Sequence, residues 1–227
     1  MAKTSKRERF RSRKARGGCG NIGGMTSDPW QDRPTLRGQF VTLEPLGTQH
    51  AAALARQHDP EVFRYLGRGG PADDTPQAWQ EFIVYLNAIP GRWNFAILVH
   101  GTPDVAGRIS YSEMRRADRG LEIGTMIMPA YQGTFVNPES KLLLLQYGFE
   151  VLNAARVQFK VDALNERSQR AMEKLGAVRE GVLRQYQVRP DGSMRDSVMY
   201  SVTGNEWPEV RSRLRERLQR AGTLNTP

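Results

Sequence analysis

The sequence predicts a single α/β domain, a mixed sheet of seven strands with helices on both faces. Three observations lead there. Seven segments alternate apolar and polar residues or run apolar over strand length, and five carry apolar residues at helical spacing. Gly, Pro, Asn and Asp punctuate the chain between them. The segments interleave in the order β-α-α-β-β-β-α-β-α-β-β-α, which builds a mixed sheet covered on both sides.

Residues 1–34 stand apart from this pattern. They have almost no periodic apolar residues, include the Gly-rich stretch 17–24, and are expected to be a disordered tail before a domain spanning 35–222. Gln39–Glu44 alternates as a strand. Thr48–Gln57 is an Ala-rich helix with Thr48 at its N-cap. After the loop Gly67–Asp74, Thr75 and Pro76 open a helix in the favoured order of cap and first residue. Trp79, Phe82, Ile83 and Leu86 form its apolar face, and Pro90-Gly91 ends it. Strands follow at Trp93–Val99, Val105–Met114 and Leu121–Met128. Asn137 and Pro138 are expected to cap a helix over 138–152. Arg156–Val161 is a strand, Asn165 the cap of a helix over 166–175, and Gly176 its left-handed stop. Residues 182–189 and 194–202 form a hairpin about Pro190-Asp191-Gly192. A last helix over 206–219 buries a narrow stripe of Val210, Leu214 and Leu218.

The net charge of +9 is unevenly spread. Eight Lys and Arg residues against Glu8 give residues 1–24 a charge of +7, leaving +2 for the other 203. The domain itself is nearly balanced, which argues against nucleic acid as its main ligand. The tail is read as solvated chain, as an upstream extension if Met25 is the natural start, or as an arm for nucleic acid or ribosomes. No apolar run approaches the ~20 residues of a membrane helix, and the basic N-terminus lacks the apolar stretch of a secretory signal. Cys19 is the single cysteine, so no intrachain disulfide forms, and a cytoplasmic protein is expected. His50, His58 and His100 lack metal-ligand spacing and are read as surface residues; no metal is expected.

Two segments carry chemistry. In the first, strand Leu121–Met128 runs into a loop and then a helix. Unpaired N–H groups at a helix start suit a pyrophosphate, and Gly133 lets such a group approach the backbone. An ordinary capped strand–loop–helix joint reads the same way. In the second, Asn165-Glu166-Arg167-Ser168 opens a helix that ends at Leu175-Gly176, after a strand.

Together these segments resemble the acyl-CoA-binding half of the GCN5-related N-acetyltransferase (GNAT) superfamily, nearest the branch with the ribosomal-protein N-terminal acetyltransferases. Arg179-Glu180-Gly181-Val182-Leu183-Arg184, Asp191-Gly192, Arg195-Asp196 and Glu206-Trp207-Pro208 extend the resemblance over roughly 37–215. It implies a mostly antiparallel sheet with one splayed pair of parallel strands. It also implies acetyl-CoA as co-substrate, and a monomer or homodimer. The family holds the CoA pyrophosphate with Gln/Arg-x-x-Gly-x-Gly/Ala. Here Gln132 fits, while Phe135 and Asn137 replace the last two small residues. The branch pattern Gly-Thr-x-Val-Asn-x-Glu is kept as Gly133, Thr134, Val136, Asn137 and Glu139. By resemblance Met126, Ile127 and Met128 line the thioester, with Ile127 or Met128 N–H facing its oxygen. Asn165 bonds the pantetheine arm, and Ser168 returns a proton to the thiolate.

Acetyl transfer also needs a base for the amine proton. Glu122 is the first choice and Glu113 the second. Glu122 shares a strand face with Gly124, Met126 and Met128, and a structural carboxylate paired with arginine would look the same. Tyr111 is an acid or a lining residue. The acceptor is expected between loop 66–75 and hairpin 184–196. It is a primary amine: a protein N-terminus, a free amino acid, a polyamine or an aminoglycoside. Asp73 and Asp74 are either pre-cap residues or attractors for a cationic amine. A second reading rests on Phe135: a catalytically weak acyl-CoA-binding protein carried to RNA by its basic arm.

Overall fold

The structure, a computed structural model, describes residues 28–189 and 191–224. The basic arm, Cys19 and Pro190 lie outside the described residues. Eight strands form one sheet in the order β1-β2-β3-β4-β5-β6-β8-β7. They are β1 (Leu36–Arg37), β2 (Val41–Pro45), β3 (Trp93–Val99), β4 (Val105–Arg115), β5 (Gly120–Ile127), β6 (Arg156–Asp162), β7 (Val178–Val188) and β8 (Met194–Thr203). The helices are α1 (Ala51–Ala55), α2 (Pro76–Asn87), α3 (Val136–Gln146), α4 (Glu166–Leu175) and α5 (Trp207–Leu224). The eighth strand is β1, two residues too short to show alternation. Every pairing is antiparallel except β5 with β6.

Alternation along the strands divides the core in two. Val41, Leu43, Phe95, Ile97, Ile109, Leu121 and Ile123 face α3, α4 and α5. Ala96, Met126 and Met128 face α1 and α2, where they meet Leu54, Trp79, Ile83 and Leu86. Of the segment expected to be disordered, residues 28–34 are described. Trp30 packs on the larger core, Arg116 pairs with Asp28, and the Tyr147 hydroxyl donates to the Pro29 carbonyl at 3.3 Å.

Two caps are as the sequence predicts. Thr75 Oγ1 accepts the Ala78 N–H at 3.2 Å, and Asn165 Oδ1 accepts the Ser168 N–H at 3.0 Å. Gly176 ends α4 at φ 89°. Two caps differ. A 3₁₀ turn, Thr48–His50, precedes α1 and starts from Gly47. Helix α3 starts at Val136, with Phe135 in the cap position and no side-chain cap. Asn137 falls inside the helix because Thr134 Oγ1 already accepts the Val136 N–H at 3.2 Å. Pro138 remains within the first turn, where a missing N–H costs nothing. Instead of running to 152, α3 widens after Gln146 into a π turn, Tyr147–Val151.

A single carboxylate fixes α3 to the sheet. Buried Glu139 receives the N–H groups of Gln39, Phe40 and Val41 at 2.6, 2.8 and 2.8 Å. His50 is buried rather than on the surface, because Glu44 takes its Nε2 at 2.6 Å. Among the described residues no helix is long and apolar enough to cross a membrane.

A candidate active-site cleft

The site begins where the sheet comes apart. β5 and β6 pair only as Gly120↔Arg156, Leu121↔Val157 and Glu122↔Gln158. Beyond Glu122 they diverge, and α3 and α4 start beyond the diverging ends. Two cavities of about 430 and 280 Å³ open on this split. Both are bounded by Thr125, Lys141, Asn165, Ser168 and Met172, so they are two lobes of one cleft.

The smaller lobe lies along the β5–α3 loop. Met126, Ile127, Gln132, Gly133, Thr134, Asn137, Asn165 and Ser168, all expected at the cofactor, line it. Gly133 sits at φ +81° with open space where a Cβ would be, so the loop can turn its backbone towards a ligand. Gln132 fastens the loop: its Nε2 donates to the Ile127 carbonyl at 2.9 Å, and its Oε1 accepts from Arg167. The start of α3, without a side-chain cap, points at this lobe with Arg167, Lys174 and Arg217 around it. The helix dipole and these cations fit a pyrophosphate, although the Val136 and Glu139 N–H groups are already taken by Thr134 and the Phe135 carbonyl.

Three predicted cofactor residues are placed elsewhere. Phe135 does not line the smaller lobe; it packs on Phe40, ring centroids 4.7 Å apart, and borders a neighbouring cavity with Gly133, Thr134 and Arg217. It therefore does not fill the lobe that a second glycine would have left open. The Val136 side chain is fully buried in the larger core. Met128 is also fully buried, and its N–H donates to the Ala106 carbonyl at 2.8 Å. Strand alternation then turns the Ile127 N–H the other way, into the split. Of the two expected oxyanion donors, Ile127 is the one still free to serve.

In the larger lobe Glu122 is 8 % exposed. It accepts from Ser112 Oγ at 3.2 Å and Gln158 Nε2 at 3.1 Å, and pairs with Lys160 at 3.2 Å. Glu113 stands exposed on the rim at a bulge of β4, with φ +49°. Tyr111 does not reach the cleft. It is fully buried on the opposite face, where its hydroxyl donates to the Leu144 carbonyl and burial pushes its pKa up. Loop residues Leu66, Gly67 and Arg68 and hairpin residues Tyr186, Gln187 and Arg195 form the mouth, where the acceptor is expected. Asp73 and Asp74 are not part of it. Asp73 instead accepts the N–H and hydroxyl of Thr75, at 2.9 and 2.5 Å, just ahead of α2.

Several cleft residues escape sequence reading. Asp162, with its side chain fully buried, ties the end of β6 to the hairpin through Arg189 at 2.8 Å and Arg195 at 3.6 Å. Arg92, just ahead of β3, and Arg108, on β4, line the larger lobe. Lys141 lies between the lobes, 5 % exposed, donating to Asn137 Oδ1 at 2.7 Å and Thr125 Oγ1 at 3.2 Å. The one signal was a lysine heading the apolar run Lys141–Leu145.

Burial, and then the charge of Arg217, pulls the Lys141 ammonium down to about 7. The unfolded lysine keeps its proton to near 10.5. The native state therefore binds fewer protons above pH 7, and stability rises with pH through that window. The gain between pH 7 and 9 is about 2 kcal/mol. In urea titrations of the free protein, wild type is expected to gain this increment and Lys141→Met to lack it. Equal gains would assign the effect to another group.

The comparisons with known proteins fit this geometry. The model of a family described as an acetyltransferase (GNAT) domain matches residues 41–178. The uncharacterised N-acetyltransferase YoaA of Bacillus subtilis (strain 168) is 33% identical over 173 residues, 74% of this chain and 96% of that one. A provisionally named acetyltransferase of known structure from T. thermophilus is 49% identical with a TM-score of 0.79, covering 83% of this chain and 99% of that one. Spermidine N(1)-acetyltransferase of Escherichia coli (strain K12) is 35% identical over 78 residues, 34% of this chain and 42% of its own length.

Proposed function

The chain belongs to the GNAT acetyltransferase family, and we propose that it moves an acetyl group from acetyl-CoA to a primary amine by direct attack in a ternary complex. The observation that carries this reading is the shared wall of the cleft. Ser168 borders both lobes, the phosphate-binding helix start lies at one end, and Glu122 lies in the other.

The residues of the cleft divide the work. Gly133, Thr134 and the start of α3 hold the pyrophosphate. Asn165 keeps its amide at the lip of the split, positioned by its cap bond to Ser168. Glu122, directly or through water, takes the proton that the amine loses on attack. The Ile127 N–H faces the thioester oxygen as it becomes negative. The Ser168 hydroxyl gives its proton to the leaving thiolate and recovers one from water. Much of the rate comes from holding the two substrates in line between the lobes.

The test is release of CoA thiol from acetyl-CoA in the presence of a panel of amines, alongside calorimetric titration with acetyl-CoA. Micromolar binding with amine-dependent release is expected. Ser168→Ala should lower turnover about tenfold or more with acetyl-CoA affinity nearly unchanged. Tight binding with no release from any amine would overturn the reading. An unchanged rate in Ser168→Ala would remove that hydroxyl from the mechanism.

A further inference from the structure

The larger lobe is a cationic chamber. Arg68, Arg92, Arg108, Lys160 and Arg195 line it, with Lys141 partly charged near pH 7, against Glu113, Glu122 and Asp162. The acidic groups are largely spent. Glu122 is paired with Lys160, and Asp162 with Arg189 and Arg195. Glu113 is exposed at the rim. Arg92 and Arg108 are left without a carboxylate among the described residues.

Both of these guanidiniums are buried, 7 % and 4 % exposed. Arg92 is held by neutral acceptors, with Nε on Asn94 Oδ1 and Nη2 on Ser110 Oγ, each at 2.7 Å. Arg108 has no hydrogen-bond partner for its Nε among the described residues, and its guanidinium lies 5.7 Å from the Phe82 ring centroid. The β4–β5 register sets Ser110 opposite Gly124 and Arg108 opposite Met126. A Cβ at Gly124 would stand 3.3 Å from Ser110 Oγ and 4.0 Å from Arg92 Nη2. The missing side chain leaves room in front of Arg92, on the same strand face as Glu122. Burial, and then neighbouring arginine charge, lowers Arg92 to about 10 and Arg108 to about 9, with the charge of Glu122 partly offsetting this at Arg92. Two buried cations side by side, neither in an ion pair among the described residues and only Arg92 within reach of the Glu122 charge, are costly to a free protein. A bound anion relieves that cost.

We propose that Arg92 and Arg108 form a carboxylate subsite, so that one of the two substrates of the transfer carries a carboxylate that enters the chamber beside Glu122. The carboxylate belongs either to the acceptor, as in an amino acid or acidic peptide, or to the acyl group, as in a dicarboxylic acyl-CoA. A polycationic amine is disfavoured in this chamber. The inference rests on the acyltransferase reading above and narrows its substrate class.

The experiment compares matched pairs with the full chain. In the acceptor arm, acetyl-CoA is offered with amino acids and acidic dipeptides against their carboxamides. In the donor arm, succinyl-CoA is compared with acetyl-CoA on one neutral amine. One arm is expected to show a preference of tenfold or more in kcat/KM for the carboxylate form, and the arm identifies its source. Arg108→Met and Arg92→Gln should each bring that ratio close to one. CoA affinity should hold, and Arg108→Met should raise the Tm of the free protein. An arginine that merely props up the fold would lower Tm and leave the ratio alone. Thiol release with no carboxylate preference in either arm, or a preference that survives both substitutions, overturns this inference alone. No thiol release from either donor with any acceptor overturns the acyltransferase reading and this inference with it.

Discussion

Glu122→Gln is expected to lower kcat by about a hundredfold or more and to change the shape of its pH profile. The carboxylate sits in the wall of the larger lobe with its oxygens held by Ser112, Gln158 and Lys160. That grip fixes it on the strand face shared with Gly124, next to the split where the thioester would lie. An amide is nearly isosteric and keeps the Ser112 contact, but it takes no proton from an attacking amine. It also leaves Lys160 without its counter-ion, so folding and acetyl-CoA affinity must be checked beside the rate. The decisive measurement is kcat against pH for wild type, Glu122→Gln and Glu113→Gln. A profile unchanged in Glu122→Gln and altered in Glu113→Gln would move the base to the rim. Profiles unchanged in both would leave proton removal to water.

Glu139→Ala is expected to cost on the order of 3–5 kcal/mol of folding stability. Three backbone N–H groups converge on this carboxylate from Gln39, Phe40 and Val41, and all three lose their acceptor together. Val41, at the start of β2, is buried and cannot turn its N–H to water, so it bears the full desolvation cost; Gln39 and Phe40, in the bend before it, bear part of it. Because Glu139 lies in the first turn of α3, its loss also loosens the helix start that borders the smaller lobe. Urea titration should show a lower midpoint, and calorimetry a weaker affinity for acetyl-CoA. Glu139→Gln should fall between, since it retains one acceptor oxygen. A stability within about 1 kcal/mol of wild type for the alanine variant would mean that the N–H groups find other partners.

Most of the local architecture is legible in the sequence. Thr75, Asn165 and Gly176 announce helix ends because a cap acts over three or four residues, within reach of sequence pattern. The two faces of β5 follow from its period of two, so Glu122, Gly124 and Met126 can be placed together. The strand–loop–helix at Gly133 and the helix after Asn165 carry a family pattern, and both border the cleft.

What needs the tertiary structure depends mostly on residues far apart in the chain. Sequence pattern places the start of α3 too late, because Thr134 satisfies Val136 before Asn137 can act. Phe135 reads as an obstruction until Phe40, 95 residues earlier, is seen to take its ring. Tyr111 reads as a site residue until its hydroxyl is found on the opposite face, on Leu144. Glu139 is one letter in a family pattern, and its purpose emerges only when the bend and start of β2 deliver three N–H groups to it. Arg92, Arg108 and Lys141 are the sharpest case. Sequence reading assigns charged side chains to solvent, because burying one without a partner is costly. Only the folded chain reveals that these three are enclosed around one cleft, where a bound anion would offset that cost.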